Sequence, residues 1–318
     1  MKSLVMLVLL SLPLVGCSES VTLKVNVHDE SGHPVTNAII KIETLKKLFM
    51  GTGSKPSDFR TITAYADSNG VVSVKFDVVS TDSTYWLSAD GYYQPPCHDI
   101  YYKMKKDHLF YVELAEHEKE ESIVMRKIRN PIPMFGYSPP SWLGTKLPLH
   151  GEYGFDMVVG DFLSPHGKGE VADFYILKNY DERTCTGKSA LFFKGRGNGA
   201  YKIKAFTGSS FRSCYAADTN AVLKTEFRHE YMKLENMSGW KEVCDVDEDE
   251  CLILRTRCQY NEKGELVSCH YSKIYGKIEI RSYLNFRAYA FNPTPNDTNL
   301  EFDITKNLLK KDTAPYLP

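Results

Sequence analysis

The chain has 318 residues, with 39 lysines and arginines against 40 aspartates and glutamates, a formal net charge of −1. That balance excludes the strongly basic surface that holds a phosphate backbone, so no nucleic-acid partner is expected. Hydrophobic residues make up 42% of a chain long enough for two domains. Abundant tyrosine, dense β-branched residues and few stretches of 3.6-residue period predict a mostly β protein.

At the start, Met1-Lys2-Ser3 precede an apolar stretch, Leu4 to Val15. It is too short to span a bilayer, which takes about 20 residues, but it suits the apolar region of an export signal. The run stops at Gly16-Cys17, with Ser18-Glu19-Ser20 directly after. Leu14-Val15-Gly16-Cys17 resembles the lipobox of bacterial lipoproteins, with Val15 where alanine or serine is commoner. The resemblance implies a signal peptide 1–16, cleavage before Cys17, a diacylglycerol on its thiol and an acyl chain such as palmitate on the new amino group. Residues 17–20 become the lipidated N-terminus. Each buried CH₂ contributes about 0.8 kcal/mol, so two or three chains hold a domain on a membrane. Ser18 in place of an aspartate implies the outer rather than the inner membrane of the cell envelope.

"VTLKVNVH" (21–28) alternates apolar and polar residues as a half-buried strand does. "DESGHPV" is a turn, "NAIIKIET" a strand, and "DSNG" (67–70) a second turn between the strands "TITAYA" and "VVSVKFDVV". "TYWLSADGYYQ" and "HLFYVEL" complete a set of short strands at sandwich spacing. The inward residues are expected to be Val25, Val27, Ile40, Ile42, Val72, Val74, Phe76, Trp86, Leu87, Tyr111 and Leu114, with a loop inserted between Leu45 and Phe59. Gly32-x-Pro34-Val35-x-x-Ala38-x-Ile40, then Asp67-Ser68-Asn69-Gly70, then Ala89-Asp90-Gly91-Tyr92 resemble carboxypeptidase regulatory-like domains. These are small prealbumin-like β-sandwiches. The resemblance covers roughly residues 21 to 127 and implies a spacer or interaction module with no catalytic residues of its own.

Charged Glu116 to Glu121 reads as a solvated hairpin ahead of the strand "SIVMRKI". Pro131, Pro133, Pro139 and Pro140 oppose regular ladder pairing. The boundary therefore falls near Arg129, giving domains 21–129 and 130–318 with a proline-rich lead-in, 130–148, wrapping the second domain. In that domain "GEVADFYILK", "SALFFKG", "GAYKIKAF", "ECLILRTRCQY", "ELVSCHYSKIYGKIEI" and "LNFRAYAFN" read as strands, while "TEFRHEYMKLENM" fits a helix or a charged strand pair. The expected fold is mostly β: an N-terminal antiparallel β-sandwich of prealbumin or immunoglobulin-like type, plus a second, larger antiparallel β domain. Segments such as "GFDMVVGDFLSPHGKGEVADF" resemble exported bacterial proteins that follow a regulatory-like domain and have no assigned chemistry to transfer.

Of eight cysteines, Cys17 is taken by lipid, and an exported compartment permits disulfides among the rest. Cys258 and Cys269 are equidistant from the Lys263–Gly264 midpoint, so a hairpin there sets them opposite each other. Cys244 and Cys251 bracket "DVDEDE", which leaves Cys185 with Cys214 and Cys97 unpaired. Zinc is the rival, but there is no CxxC pair and the spacings fit no common finger. "DVDEDE" lacks the glycine and terminal glutamate of a calcium loop. "SPHGKGE" and "KGRGNGAY" lack the phosphate-loop pattern and read as hairpin turns. His98-Asp99 and His270 have no nucleophile motif beside them. No cofactor, metal site or catalytic residue is assigned. The expected function is a lipid-anchored, non-enzymatic envelope module that binds a glycan, peptide or protein. The alternative is a polymer-acting hydrolase using Asp156, Asp161 or Asp173 as acid and base.

Overall fold

A computed structural model describes residues 19–45, 59–78, 83–100, 104–108, 111–114, 117–140, 143–144, 147–233 and 240–309. The signal 1–16, Cys17 and residues 46–58 lie outside these. The chain divides into two compact units, Met1–Lys127 and Ile128–Pro318.

The first unit contains β1 (Glu19–Asp29), β2 (Ile39–Leu45), β3 (Phe59–Tyr65), β4 (Val71–Val78), β5 (Ser83–Ser88), β6 (His98–Ile100), β7 (Met104–His108), β8 (Tyr111–Leu114) and β9 (Glu118–Met125). Two sheets, ordered β4-β1-β9 and β3-β2-β5-β6, supply one shared core. Val21, Leu23, Val25 and Val27 face Ile40, Ile42, Tyr85 and Leu87 in it, as the period-two pattern requires. Trp86 had been expected inside, but it neighbours Tyr85 and Leu87 and strand parity turns it outward. The side chains of Tyr111 and Leu114 lie outside the described set.

Two further expectations are corrected. The charged run is not a hairpin: from Glu118 it forms β9, which pairs with β1 in parallel rather than antiparallel. Glu120 can sit in a ladder because it points outward to Lys24 and Asn26, at 3.1 and 2.8 Å. The turn at 67–70 is held by Asp67 Oδ1, which accepts from the N–H groups of Asn69 and Val71. Gly70 has φ +74, and a Cβ there would meet the Val27 carbonyl at 2.4 Å, so only glycine closes this turn.

The second unit contains β10 (Phe135–Tyr137), β11 (His150–Asp156), β12 (Asp161–Phe162), β13 (Phe174–Asp181), β14 (Thr186–Phe192), β15 (Gly199–Lys204), β16 (Glu226–Lys233) and β17 (Trp240–Cys244). It continues with β18 (Glu250–Tyr260), β19 (Leu266–Tyr275), β20 (Glu279–Ile280), β21 (Leu284–Asn285) and β22 (Ala288–Phe291), then a 3₁₀ turn at Ile304–Lys306. The undecided segment "TEFRHEYMK" is thus a strand, not a helix. A six-stranded sheet, β12-β11-β13-β14-β16-β17, and a five-stranded sheet, β10-β22-β19-β18-β15, share an apolar core. Phe155 is its centre, within 5.1–6.3 Å of the rings of Phe162, Phe174, Phe286 and Tyr289. The proline-rich lead-in is tied down where its ladder is interrupted. Glu301 accepts from the N–H groups of Arg129 and Asn130, each at 2.7 Å, and Asn307 brackets Gly136.

Candidate functional site

The three carboxylates singled out as acid or base candidates all lie in the second unit, and two of them meet. Asp156 ends β11, and Asp173 precedes β13. Arg257, on β18 of the opposite sheet, reaches both: Nε and Nη2 donate to Asp173 at 2.8 and 2.9 Å, and Nη2 to Asp156 at 3.0 Å. Asp173 also accepts from the Thr256 hydroxyl at 3.0 Å and the Met157 N–H at 2.8 Å. Asp156 accepts from four backbone N–H groups, of Val158, Val159, Glu170 and Val171. Burial pushes its carboxyl up, but the N–H groups of Glu170 and Val171 and the charge of Arg257 outweigh that and hold it below the usual range. Every oxygen of the pair is occupied by donors that build the fold. A general base needs a free lone pair aimed at substrate, and neither has one. Asp161 stands apart from this pair: each of its oxygens accepts one backbone N–H, from Phe162 and Lys168, and so closes the "SPHGKGE" loop. The Asp156–Asp173 pair is a clamp between two sheets, not an acid–base pair.

The outer face of the six-stranded sheet is of another kind. Its ladder aligns Gly154, Tyr175, Phe192 and Glu226 in one row, and Glu152, Leu177, Ala190 and Arg228 in the next. Three apolar side chains, of Tyr175, Leu177 and Phe192, therefore reach the surface side by side on the two central strands, with buried Ala190 between them, where polar residues are the rule. Tyr175 and Phe192 stack at 5.5 Å, Leu177 is 40% exposed, and the Lys194 ammonium lies 4.4 Å from the Tyr175 ring. Lys194 is paired with Glu152, and Arg228 with Asp245. Two shallow hollows neighbour this ridge. One, of about 330 Å³, includes Asn179, Asp181, Thr186 and Lys188; the other, of about 390 Å³, includes Thr225, Glu226, Arg228 and Asp245. Neither Arg257 nor this ridge was singled out by motif. The ridge does leave a trace: "FYIL" and "ALFF" are apolar on both strand faces, although only one face is needed for the core.

Other candidates resolve into structural roles. In "DVDEDE", Glu250 pairs with Lys202, Asp249 with Lys204 and Asp245 with Arg228, so three of its acids already hold cations from the chain itself. "KGRGNGAY" docks on the β18–β19 hairpin, with Arg196 donating to the Gly264 carbonyl and lying over Tyr260. His98 stacks on Tyr85 in the first unit, and His270 bonds the Asn292 carbonyl in the second. All seven described cysteines are thiols. Cys258 and Cys269 are neighbours. Cys244 is on the six-stranded sheet and Cys251 on the five-stranded one. Cys185 is in the β13–β14 turn, whereas Cys214 packs against the five-stranded sheet with Tyr201.

Two charge sites, one buried and one half-buried, contribute to the pH response of the second unit. Lys178 is fully buried and donates to the carbonyls of Gly144, Leu147 and Ser282 at 3.2, 3.4 and 2.9 Å. Burial pushes its ammonium down to about 8 from 10.5. Burial acts to raise Glu242, but hydrogen bonds from Lys277, His229 and Arg281 outweigh it and bring it down to about 2 from 4.5. The folded state binds fewer protons than the unfolded chain at both groups. Stability is therefore expected to rise from pH 2 to 4.5 through Glu242, and again from about 8 to 10 through Lys178, each on the order of 2–3 kcal/mol. Denaturant titrations across pH check this. The upper rise should vanish in Lys178→Met and the lower one in Glu242→Gln.

The sequence matches no protein-family model, and no curated protein matches it. Among solved structures, the chain is similar to chlorocatechol 1,2-dioxygenase from Pseudomonas putida at 11% identity and a TM-score of 0.23, over 35% of this chain and 61% of the dioxygenase. It is similar to the major pilin SpaD of Corynebacterium diphtheriae at 9% identity and a TM-score of 0.24, over 80% of this chain and 67% of the pilin. A shaft pilin, SpaA of Lactobacillus rhamnosus GG, gives 7% identity and a TM-score of 0.22 over 84% and 98%. The chain thus spans less than two thirds of the dioxygenase.

Proposed function

We propose that this chain is a lipid-anchored protein of the bacterial cell envelope, carried on the outer membrane through Cys17, that acts by binding rather than by catalysis. The lipobox-like Leu14-Val15-Gly16-Cys17 supports the anchor. The turn glycines Gly32, Gly70 and Gly91, all left-handed, support the regulatory-like reading of residues 21–129 as a spacer. The hydrolase alternative loses the pairing it needs, because Asp156 and Asp173 are bonded into the fold and Asp161 is left without a second free carboxylate from that set.

The observation that carries the reading is the apolar ridge of Tyr175, Leu177 and Phe192 on the outer sheet face. Its ligand is a neutral glycan chain. Aromatic faces stack on the apolar faces of sugar rings, the hollows beside the ridge offer amide, hydroxyl and carboxylate partners for hydroxyl groups, and the flanking charges cancel in pairs. The test is a glycan array probed with residues 17–318 carrying Cys17→Ser. Retention on neutral glycans is expected, falling at least tenfold in Tyr175→Ala/Phe192→Ala at unchanged melting temperature. Absence of any glycan signal, or full binding by the double variant, overturns it.

A further inference from the structure

The β18–β19 hairpin turns at Asn261–Glu265, where Gly264 donates to the Asn261 carbonyl at 2.9 Å. Above the turn the ladder is irregular. Thr256 pairs with His270 and Gln259 with Ser268, so Arg257 and Cys258 together oppose Cys269 alone. Two residues against one is a β-bulge, and Arg257 makes it with φ +53, a conformation unusual for a side chain of this size. The bulge aims Arg257 at Asp156 and Asp173, and the neighbouring Gln259–Ser268 pair sets Cys258 opposite Cys269.

Both cysteines are held by groups outside their own ladder. The Cys258 N–H donates to Asn198 Oδ1 at 3.1 Å, and the Cys269 N–H to Asn296 Oδ1 at 3.0 Å. The two side chains pack in one apolar cluster, the Cys269 thiol donates to Asn296 Oδ1 at 3.7 Å, and the Arg255 guanidinium is anchored on the Gly197 carbonyl at 3.0 Å. Gly197, at φ +78, lies against Tyr260, whose hydroxyl a Cβ there would overlap.

We propose that Cys258 and Cys269 are a built disulfide site whose bond locks the bulge that presents Arg257 to the carboxylate clamp. The oxidant is a disulfide, R–S–S–R, of an oxidising compartment. Half-buried Cys258 loses its proton and attacks one sulfur, forming a mixed disulfide and releasing the first R–S⁻, which takes up that proton. Buried Cys269 then loses its proton, attacks the Cys258 sulfur and expels the second R–S⁻, again protonated. Two protein thiols are oxidised and one R–S–S–R becomes two R–SH. Burial pushes the Cys258 thiol up to about 11, so the folded, reduced protein reacts slowly at neutral pH, and the rate climbs about tenfold per pH unit.

The test is alkylation and peptide mapping of the mature full-length chain after exposure to oxidised glutathione. A Cys258–Cys269 bridge is expected, and it should persist in Cys214→Ser/Cys251→Ser, which removes the other two sulfurs packed at this sheet face. Reduction should lower the denaturation midpoint of the second unit in the wild type and leave Cys258→Ser unmoved. A bridge from Cys258 to any other cysteine, both thiols alkylated after oxidation, or a midpoint indifferent to reduction would each overturn the proposal.

Discussion

Asp173→Ala is expected to destabilise the second unit by about 3–5 kcal/mol, because it removes one partner of a buried, hydrogen-bonded charge cluster and strands the rest. Left behind are the Arg257 guanidinium, the Thr256 hydroxyl and the Met157 N–H, all of which donate to Asp173. Arg257→Ala should cost a similar amount by the opposite route, since Asp173 is then a fully buried carboxylate without its cation. Arg257 also carries a positive φ. Arg257→Gly removes the same charge but relieves the backbone, so it should be less harmful than alanine by about 1 kcal/mol. The two truncations share one interaction, so the double variant Asp173→Ala/Arg257→Ala should cost clearly less than their sum. Urea unfolding followed by near-ultraviolet circular dichroism measures all four. Asp161→Ala serves as the contrast at about 1 kcal/mol, because it loses only two loop N–H contacts. A loss under 1 kcal/mol for Asp173→Ala would mean that the clamp contributes shape and not stability.

Much of the architecture was legible because burial and period-two alternation coincide. "VTLKVNVH" and "NAIIKIET" place every second residue in the core, and "DSNG" closes as a turn around Asp67 and Gly70. Trp86 was misassigned because "YWL" is apolar at three successive positions, and parity, not hydrophobicity, decides which two point in. Only the first half of β9 was hidden by its charges, since Glu118 and Glu120 alternate outward; the apolar half, with Ile123 and Met125 in the core, was read as a strand. The clamp could not be read at all. Asp156, Asp173 and Arg257 are brought together by pairing two sheets, and no local spacing records that. The hairpin was legible in its centre, since Gly264 fixes the turn, but not in its bulge. Counting residues outward from the Lys263–Gly264 midpoint puts Cys258 opposite Cys269, as the pairing of Gln259 with Ser268 does, but nothing in that count shows the extra residue, Arg257, just beyond.

Cys17→Ser is expected to detach the protein from the outer membrane completely, the largest effect on location that any single substitution should have. The thiol is the only atom to which the diacylglycerol can be attached, and the lipobox reading makes lipidation precede cleavage. The variant should therefore retain its signal and run as a heavier precursor without incorporated fatty acid. A single uncut apolar run of the length of Leu4 to Val15 binds a bilayer far less firmly than two or three acyl chains. The fold should be indifferent to the change. β1 starts at Glu19, and its buried residues begin with Val21 and Leu23, so nothing before position 19 contributes to the described core. Melting of the solubilised variant should match the wild type, which separates loss of the anchor from loss of structure. Fractionation, intact mass and labelling with a fatty-acid analogue are the three readouts. A variant that keeps wild-type mass, label and membrane association would show that Cys17 is an ordinary residue and that the binding module reaches the envelope by another route.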